Sequence, residues 1–264
     1  MIRRAVLVGL LAACAREAPA PRSLVDAVRD DSLGVLIAKL DAGWNPDSAA
    51  ADGARPLTEA ARLGRSGMLL DLLDADADPT LTDAEGNTPF ALAVAGNHRD
   101  VLDLLLRDAA TRAGGGPQVQ AWLDRVRDGA EATDDWMRVL SGELLSLGLA
   151  YAALHDRPAV VDALRDSHDL PNATGWRALP LAAHLGRGVV VSVLLEGGAE
   201  PDQLRTDGTR RSALAEAIVA GHADIARQLV RAGARLDQPD AAGTTPRTLA
   251  AASADPAIRA LAER

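Results

Sequence analysis

The stretch Asp52-Gly53-Ala54-Arg55-Pro56-Leu57-Thr58-Glu59-Ala60-Ala61-Arg62-Leu63-Gly64 is followed by Glu85-Gly86-Asn87-Thr88-Pro89-Phe90-Ala91-Leu92-Ala93-Val94-Ala95-Gly96-Asn97. Gly53 to Gly86 and Pro56 to Pro89 are both 33 residues. A fixed period of this size marks an array of small helical units, each unable to bury its apolar face alone and stacked on its neighbours. Thr88-Pro89 and Thr245-Pro246 read as helix starts, with threonine at the cap and proline in the first turn. Alanine pairs such as Ala60-Ala61 and Ala182-Ala183 fall where one helix must approach the next closely. A larger side chain there would cost about 1–3 kcal/mol by overpacking.

Working outward, the second half of the unit recurs as Leu72-Leu73 with Ala77-Asp78-Pro79, Leu105-Leu106, Leu194-Leu195 with Gly197-Gly198-Ala199-Glu200-Pro201, and Leu229-Val230 with Ala232-Gly233-Ala234. Gly198 and Gly233 sit just past a helix, where a left-handed backbone is needed. With the 33-residue period, these endings resemble those of ankyrin repeats. The resemblance implies an all-α, ankyrin-repeat solenoid of about seven helix-turn-helix units with a helical insertion after the third. In this register repeats 1–3 occupy 23–110, the insertion 111–140 and repeats 4–7 141–264. The fourth unit is degenerate, and the seventh ends after one short second helix, as a terminal cap would.

Departures from the family pattern set further expectations. The histidine that usually follows the Thr-Pro-Leu start is replaced by Thr58, Ala91, Pro180, Ala215 and Thr248, which predicts poorer hydrogen bonding across repeats. Arg55 and Arg177 stand in place of the start threonine, and the sixth unit carries two extra residues within Gly208-Thr209-Arg210-Arg211-Ser212. The array should be less stable than a regular one, with the fourth unit weakest.

The insertion follows from the spacing of Phe90 and Leu149, 59 residues where 33 are expected. After Gly114-Gly115-Gly116, read as a flexible joint, Val119, Trp122, Leu123 and Val126 recur at the spacing of an amphipathic helix. Two readings stand. Trp122 and Trp136 pack the helix onto the repeats, or its aromatic face is an arm for a partner.

The N-terminus differs from the rest. Arg3 and Arg4 precede the apolar run Ala5 to Ala13, the length of a signal h-region and short of the roughly 20 residues that span a bilayer. Leu11-Ala12-Ala13-Cys14 resembles the lipobox of bacterial lipoproteins, and Cys14 is the sole cysteine. The resemblance implies a signal peptide at 1–13 cleaved before a lipidated Cys14, a tether at 14–22, and a domain held in the bacterial envelope. Ala15, where some bacteria place an inner-membrane retention aspartate, favours the outer membrane over the inner.

The formal charge of −9 argues against nucleic acid or anionic lipid as a partner, since both need a basic surface. No phosphate-binding glycine loop, serine elbow or paired carboxylate is evident, so no enzyme, cofactor, metal or small-molecule substrate is expected. A metal site of His155, His168 and His184 lacks ligand spacing, while His98 and His222 read as scaffold. What the resemblance leaves is a protein partner on the concave face, met by turn tips and first helices. The candidate contacts are Asp52, Arg62, Glu85, Asn87, Trp176, Arg177, His184, Arg210 and Arg211, with Trp176 foremost because tryptophan is enriched in binding hot spots; its other reading is a tip residue folded against the adjacent repeat. An immunity or inhibitor protein, or a protective scaffold, would fit. The alternative is a structural envelope lipoprotein acting as spacer or assembly subunit.

Overall fold

The computed structural model describes residues 23–129, 140, 143–164, 174 and 176–263. The signal peptide, the tether, Cys14, Trp136 and His168 lie outside the described residues. Among those described the fold is all-α, with fifteen helices and one isolated bridge between Leu204 and Ser212. None of these helices is long and apolar enough to cross a membrane.

Twelve of the helices form six helix-turn-helix pairs. In chain order the first are α1 (Leu24–Arg29) with α2 (Leu33–Asp41) and α3 (Pro56–Arg62) with α4 (Ser66–Asp74), followed by α5 (Pro89–Ala95) and α6 (Arg99–Arg112). The lone helix α7 (Pro117–Asp128) follows. Then come α8 (Glu143–Leu154) with α9 (Pro158–Leu164), α10 (Ala178–His184) with α11 (Gly188–Glu196), α12 (Ala213–Val219) with α13 (Ala223–Arg231), and α14 (Pro246–Ala252) with α15 (Pro256–Ala262). The helices fall into two compact units divided between Gly96 and Asn97, the first holding α1 to α5 and the second α6 to α15.

Local chemistry explains the starts and stops. The Thr88 and Thr245 hydroxyls accept from the amides of Ala91 and Thr248, as the Thr-Pro pairs predict, and Ser212 does the same for Ala215. Gly198 and Gly233 hold φ of 92° and 101°, the left-handed turn expected past a helix. Ala60, Ala61, Ala182 and Ala183 are fully buried, and α3 packs on α5 while α10 packs on α12. Leu72 in the first unit, and Leu106, Leu194 and Leu229 in the second, are buried beneath them.

Cross-repeat hydrogen bonds are carried by residues other than the missing histidine. The Arg55 Nε donates to the Thr82 carbonyl at 3.0 Å and its Nη1 to that of Asp47 at 2.6 Å, so the residue that replaces a cap ties turns together. Aspartates repeat the device one period apart. Asp47 accepts from the amide of Asp78 at 2.9 Å, and Asp202 from that of Arg235 at 2.6 Å.

Helix α7 settles between the two readings of its apolar face. Val119, Trp122, Leu123 and Val126 are all buried, and α7 packs on α6 and α8. On α7 itself no aromatic face remains for a partner, so Trp122 packs as the first reading expects; Trp136 lies outside the described residues. Trp122 lies so close to α8 that a Cβ on Gly148 would sit 2.9 Å from its ring. Nor are the preceding glycines a slack joint: the Gly115 amide donates to the Ala110 carbonyl at 2.8 Å, and a Cβ on Gly115 would meet that oxygen at 2.5 Å. Arg157 holds the other end, its Nε donating to the Val126 carbonyl at 2.8 Å.

Candidate functional site

In the first unit, the first helices and turn tips bring four of the nine expected contact residues together. Asp52, Arg62, Glu85 and Asn87 line one cavity of about 360 Å³. Its floor is Glu59 on α3, a carboxylate only 3% exposed. An acid at this depth needs partners, because an isolated buried charge is costly. The Arg29 Nε donates to Glu59 at 3.0 Å, and Arg62 donates through Nη2 at 2.5 Å and Nε at 3.1 Å. Arg29 also donates to Asp52 at 2.7 Å, linking floor to rim. Burial pushes the Glu59 carboxyl up, but the hydrogen bonds from Arg62 and Arg29 outweigh it and hold the group below its ordinary value. Asp83, on the next tip, is absorbed by its own turn, accepting from the amides of Glu85 and Asn87.

In the second unit the equivalent register carries Glu216 on α12, only 1% exposed. The Arg205 Nη1 donates to it at 2.8 Å, and His184 Nδ1 lies 2.8 Å from its other oxygen. Arg205 also pairs with Asp207 and lies 3.6 Å from the Trp176 ring centroid, while Trp176 meets His184 edge-on. The His222 Nε2 donates to the His184 carbonyl at 2.9 Å. Burial again works to raise the carboxyl, and the hydrogen bond from His184 with the charge of Arg205 holds Glu216 low.

This network corrects two expected contacts. Trp176 is 1% exposed, a lid under Arg205, and offers no surface to a partner. His184 is committed to Glu216 and supports the next repeat. Arg177 and Arg210 instead line a cavity of about 730 Å³ with Glu200, Asp202 and Arg205. Arg211 faces Asp240 at 3.6 Å, a distance for charge attraction and not for a hydrogen bond.

Glu59 and Glu216, which organise both sites, were not among the expected contacts. They occupy a register where α5, α10 and α14 carry Leu92, Leu181 and Leu249. An acid in a leucine register is a readable signal, since buried polar residues are the informative exceptions. A third polar cluster joins α6 to α8. The Tyr151 hydroxyl donates to Asp103 at 2.5 Å, and His155 Nε2 and Arg107 Nε each lie 3.0 Å from that carboxylate. Among the described residues no group of three histidine, cysteine, aspartate or glutamate side chains is placed to hold a metal ion.

Residues 149–240 match the family model for ankyrin repeats in three copies. Among solved structures the chain is similar to the crystal structure of the human ASB11 ankyrin repeat domain, at 20% identity over 93% of this chain and 96% of that one, with a TM-score of 0.39. No curated protein matches at a significant level. Among the described residues the fold is all-α, and residues 149–240 are similar to ankyrin repeats, a class of module that generally binds other proteins.

Proposed function

We propose that this chain is a lipid-anchored ankyrin module of a bacterial envelope, tethered through Cys14, that binds one protein partner on the concave face formed by its first helices and turn tips. The observation that carries the binding role is the convergence of Asp52, Arg62, Glu85 and Asn87 on one cavity whose charged floor is already fixed by Glu59. Side chains pre-ordered in this way lose little freedom on binding. The buried carboxylates Glu59 and Glu216 of the first helices are tied into ion pairs, which supports a structural role for them over one as acid, base or nucleophile. An immunity or inhibitor protein for a secreted toxin, or a protective scaffold for an envelope enzyme, fits this description.

Two experiments test it. Growth with an alkynyl fatty acid should label the wild-type protein and not Cys14→Ser; equal labelling of both would remove the anchor. Affinity capture from detergent-solubilised envelope should yield a specific protein with wild type and lose it with Asp52→Ala/Arg62→Ala/Glu85→Ala. If the triple variant kept every specific partner, the cavity would have no part in binding, and a spacer role would be the better reading.

A further inference from the structure

The two cavities differ in how their charges are satisfied. In the first unit Arg29, Arg62, Asp52 and Glu59 are paired with one another, and Asp83 is closed by its own turn. In the second unit the larger cavity is lined by Arg177 and Arg210, neither of which makes an ion pair among the described residues. The Arg177 Nε–H is buried without an acceptor, a donor that folding leaves unmade at a cost. Glu200 and Asp202 line the same space, and they lie beyond ion-pair reach of both arginines. Of the charged residues lining the cavity, Arg205 and Asp207 are paired, whereas Arg177, Arg210, Glu200 and Asp202 do not satisfy each other.

The wall that creates this space is the two-residue lengthening of the sixth unit. Its finger is pinned at the base, where the Arg205 amide donates to the Arg211 carbonyl at 2.9 Å beside the Leu204–Ser212 bridge. Its tip is closed by Asp207, which accepts from the Thr209 amide at 3.1 Å and hydroxyl at 2.7 Å. The Thr209 carbonyl accepts from Ala241 at 2.9 Å, so the finger is also bound to the next turn. Arg205, stacked on Trp176 and paired with Glu216 and Asp207, buttresses it from within.

Resting on the protein-binding reading above, we infer that this cavity receives a polypeptide segment bearing one carboxylate side chain close to one lysine or arginine. The carboxylate meets Arg177 and Arg210, whose planar forks suit two-oxygen acceptors. The cation meets Glu200 and Asp202. A run of acidic residues, or a phosphate, would bring its excess negative charge against those carboxylates, and the chain's net charge of −9 opposes both.

The test is arginine Nε–Hε NMR of the full chain, with the Arg177 signal assigned by Arg177→Lys. The probes are the capped peptide Gly-Glu-Gly-Lys-Gly, its Glu-to-Gln counterpart and inorganic phosphate. The inference expects a saturable shift of the Arg177 signal with the first peptide and binding at least tenfold weaker with the second. Phosphate should give no saturable shift, and Arg210→Ala should weaken the first peptide at least fivefold. Arg210 is exposed on the finger, so that variant remains informative if Arg177→Lys does not fold. An unmoved Arg177 signal, equal binding of both peptides, saturation by phosphate alone, or full binding by Arg210→Ala would each overturn the inference. These failures would leave the binding-module reading standing if envelope capture still depended on Asp52, Arg62 and Glu85, so the two are told apart.

Discussion

Glu59 in the first unit and Glu216 in the second stand at the same step of the first helix, yet their surroundings give them different work. Glu59 is gripped by Arg29 and Arg62, whose side chains are 37% and 51% exposed, so its clamp is partly in water. Glu216 is gripped by Arg205, 4% exposed, and by His184, with the arginine stacked on the Trp176 ring. Attraction between charges in the first setting is screened and replaceable, whereas in the second each group is the other's substitute for water. One repeat position therefore yields the floor of an open cavity in one unit and an internal brace in the other.

The contrast is broken most strongly at Arg205. Arg205→Ala strands Glu216 and Asp207 in the interior and is expected to cost about 3–5 kcal/mol, read as a lowered denaturant midpoint. Arg29→Ala leaves Glu59 with Arg62 and water, and should cost at most about 1 kcal/mol. Equal losses would show that the two settings do not differ.

Gly186→Ala probes the same brace through the backbone. The φ of 74° at Gly186 strains any side chain, and Asp31, Asn97 and Asp156, which hold positive φ at the equivalent turn, belong to the types that tolerate it best. The His222 ring adds a second bar, because a Cβ at Gly186 would lie 2.8 Å from it. The substitution should cost about 1–3 kcal/mol and displace His222 from the His184 carbonyl, visible as a changed His222 ring resonance. A changed resonance with an unchanged midpoint would mean that the ring moves aside freely, and no change in either would contradict the contact.

The smallest effect is in pH dependence. Both glutamates titrate below their ordinary value in the folded chain, so the unfolded state takes up protons first as pH falls. Their stabilisation is present above the unfolded value, about 4.3, and is lost as pH drops through the folded values. Stability measured from pH 6 down to pH 3 should fall less steeply in Glu216→Gln than in wild type, and less steeply still when Glu59→Gln is added. Identical slopes in all three would contradict the assignment.

The repeating features were legible in the sequence because they depend on local chemistry: threonine caps, glycine turns, alanine pairs and leucine pairs each act within a few residues. What escaped depends on contacts made at a distance. Trp176 sits at a turn tip by register, but it is buried, with Arg205 from the lengthened sixth unit over its ring and His184 at its edge. The amphipathic spacing of Val119, Trp122, Leu123 and Val126 marked a helix but could not say what covers it; α6 and α8 do. Asp103 and Tyr151, 48 residues apart, give no local sign of their bond. Glu59 and Glu216 could have been recognised, since an acid in a leucine register asks for a partner.

The most direct test of the account sets Asp52→Ala/Arg62→Ala/Glu85→Ala beside Glu216→Gln, each confirmed as folded by circular dichroism, and measures the affinity of both for the protein captured from the envelope. The account predicts at least a tenfold loss for the first and wild-type affinity for the second. The reverse pattern, with the cavity variant binding normally and the brace variant not, would contradict it.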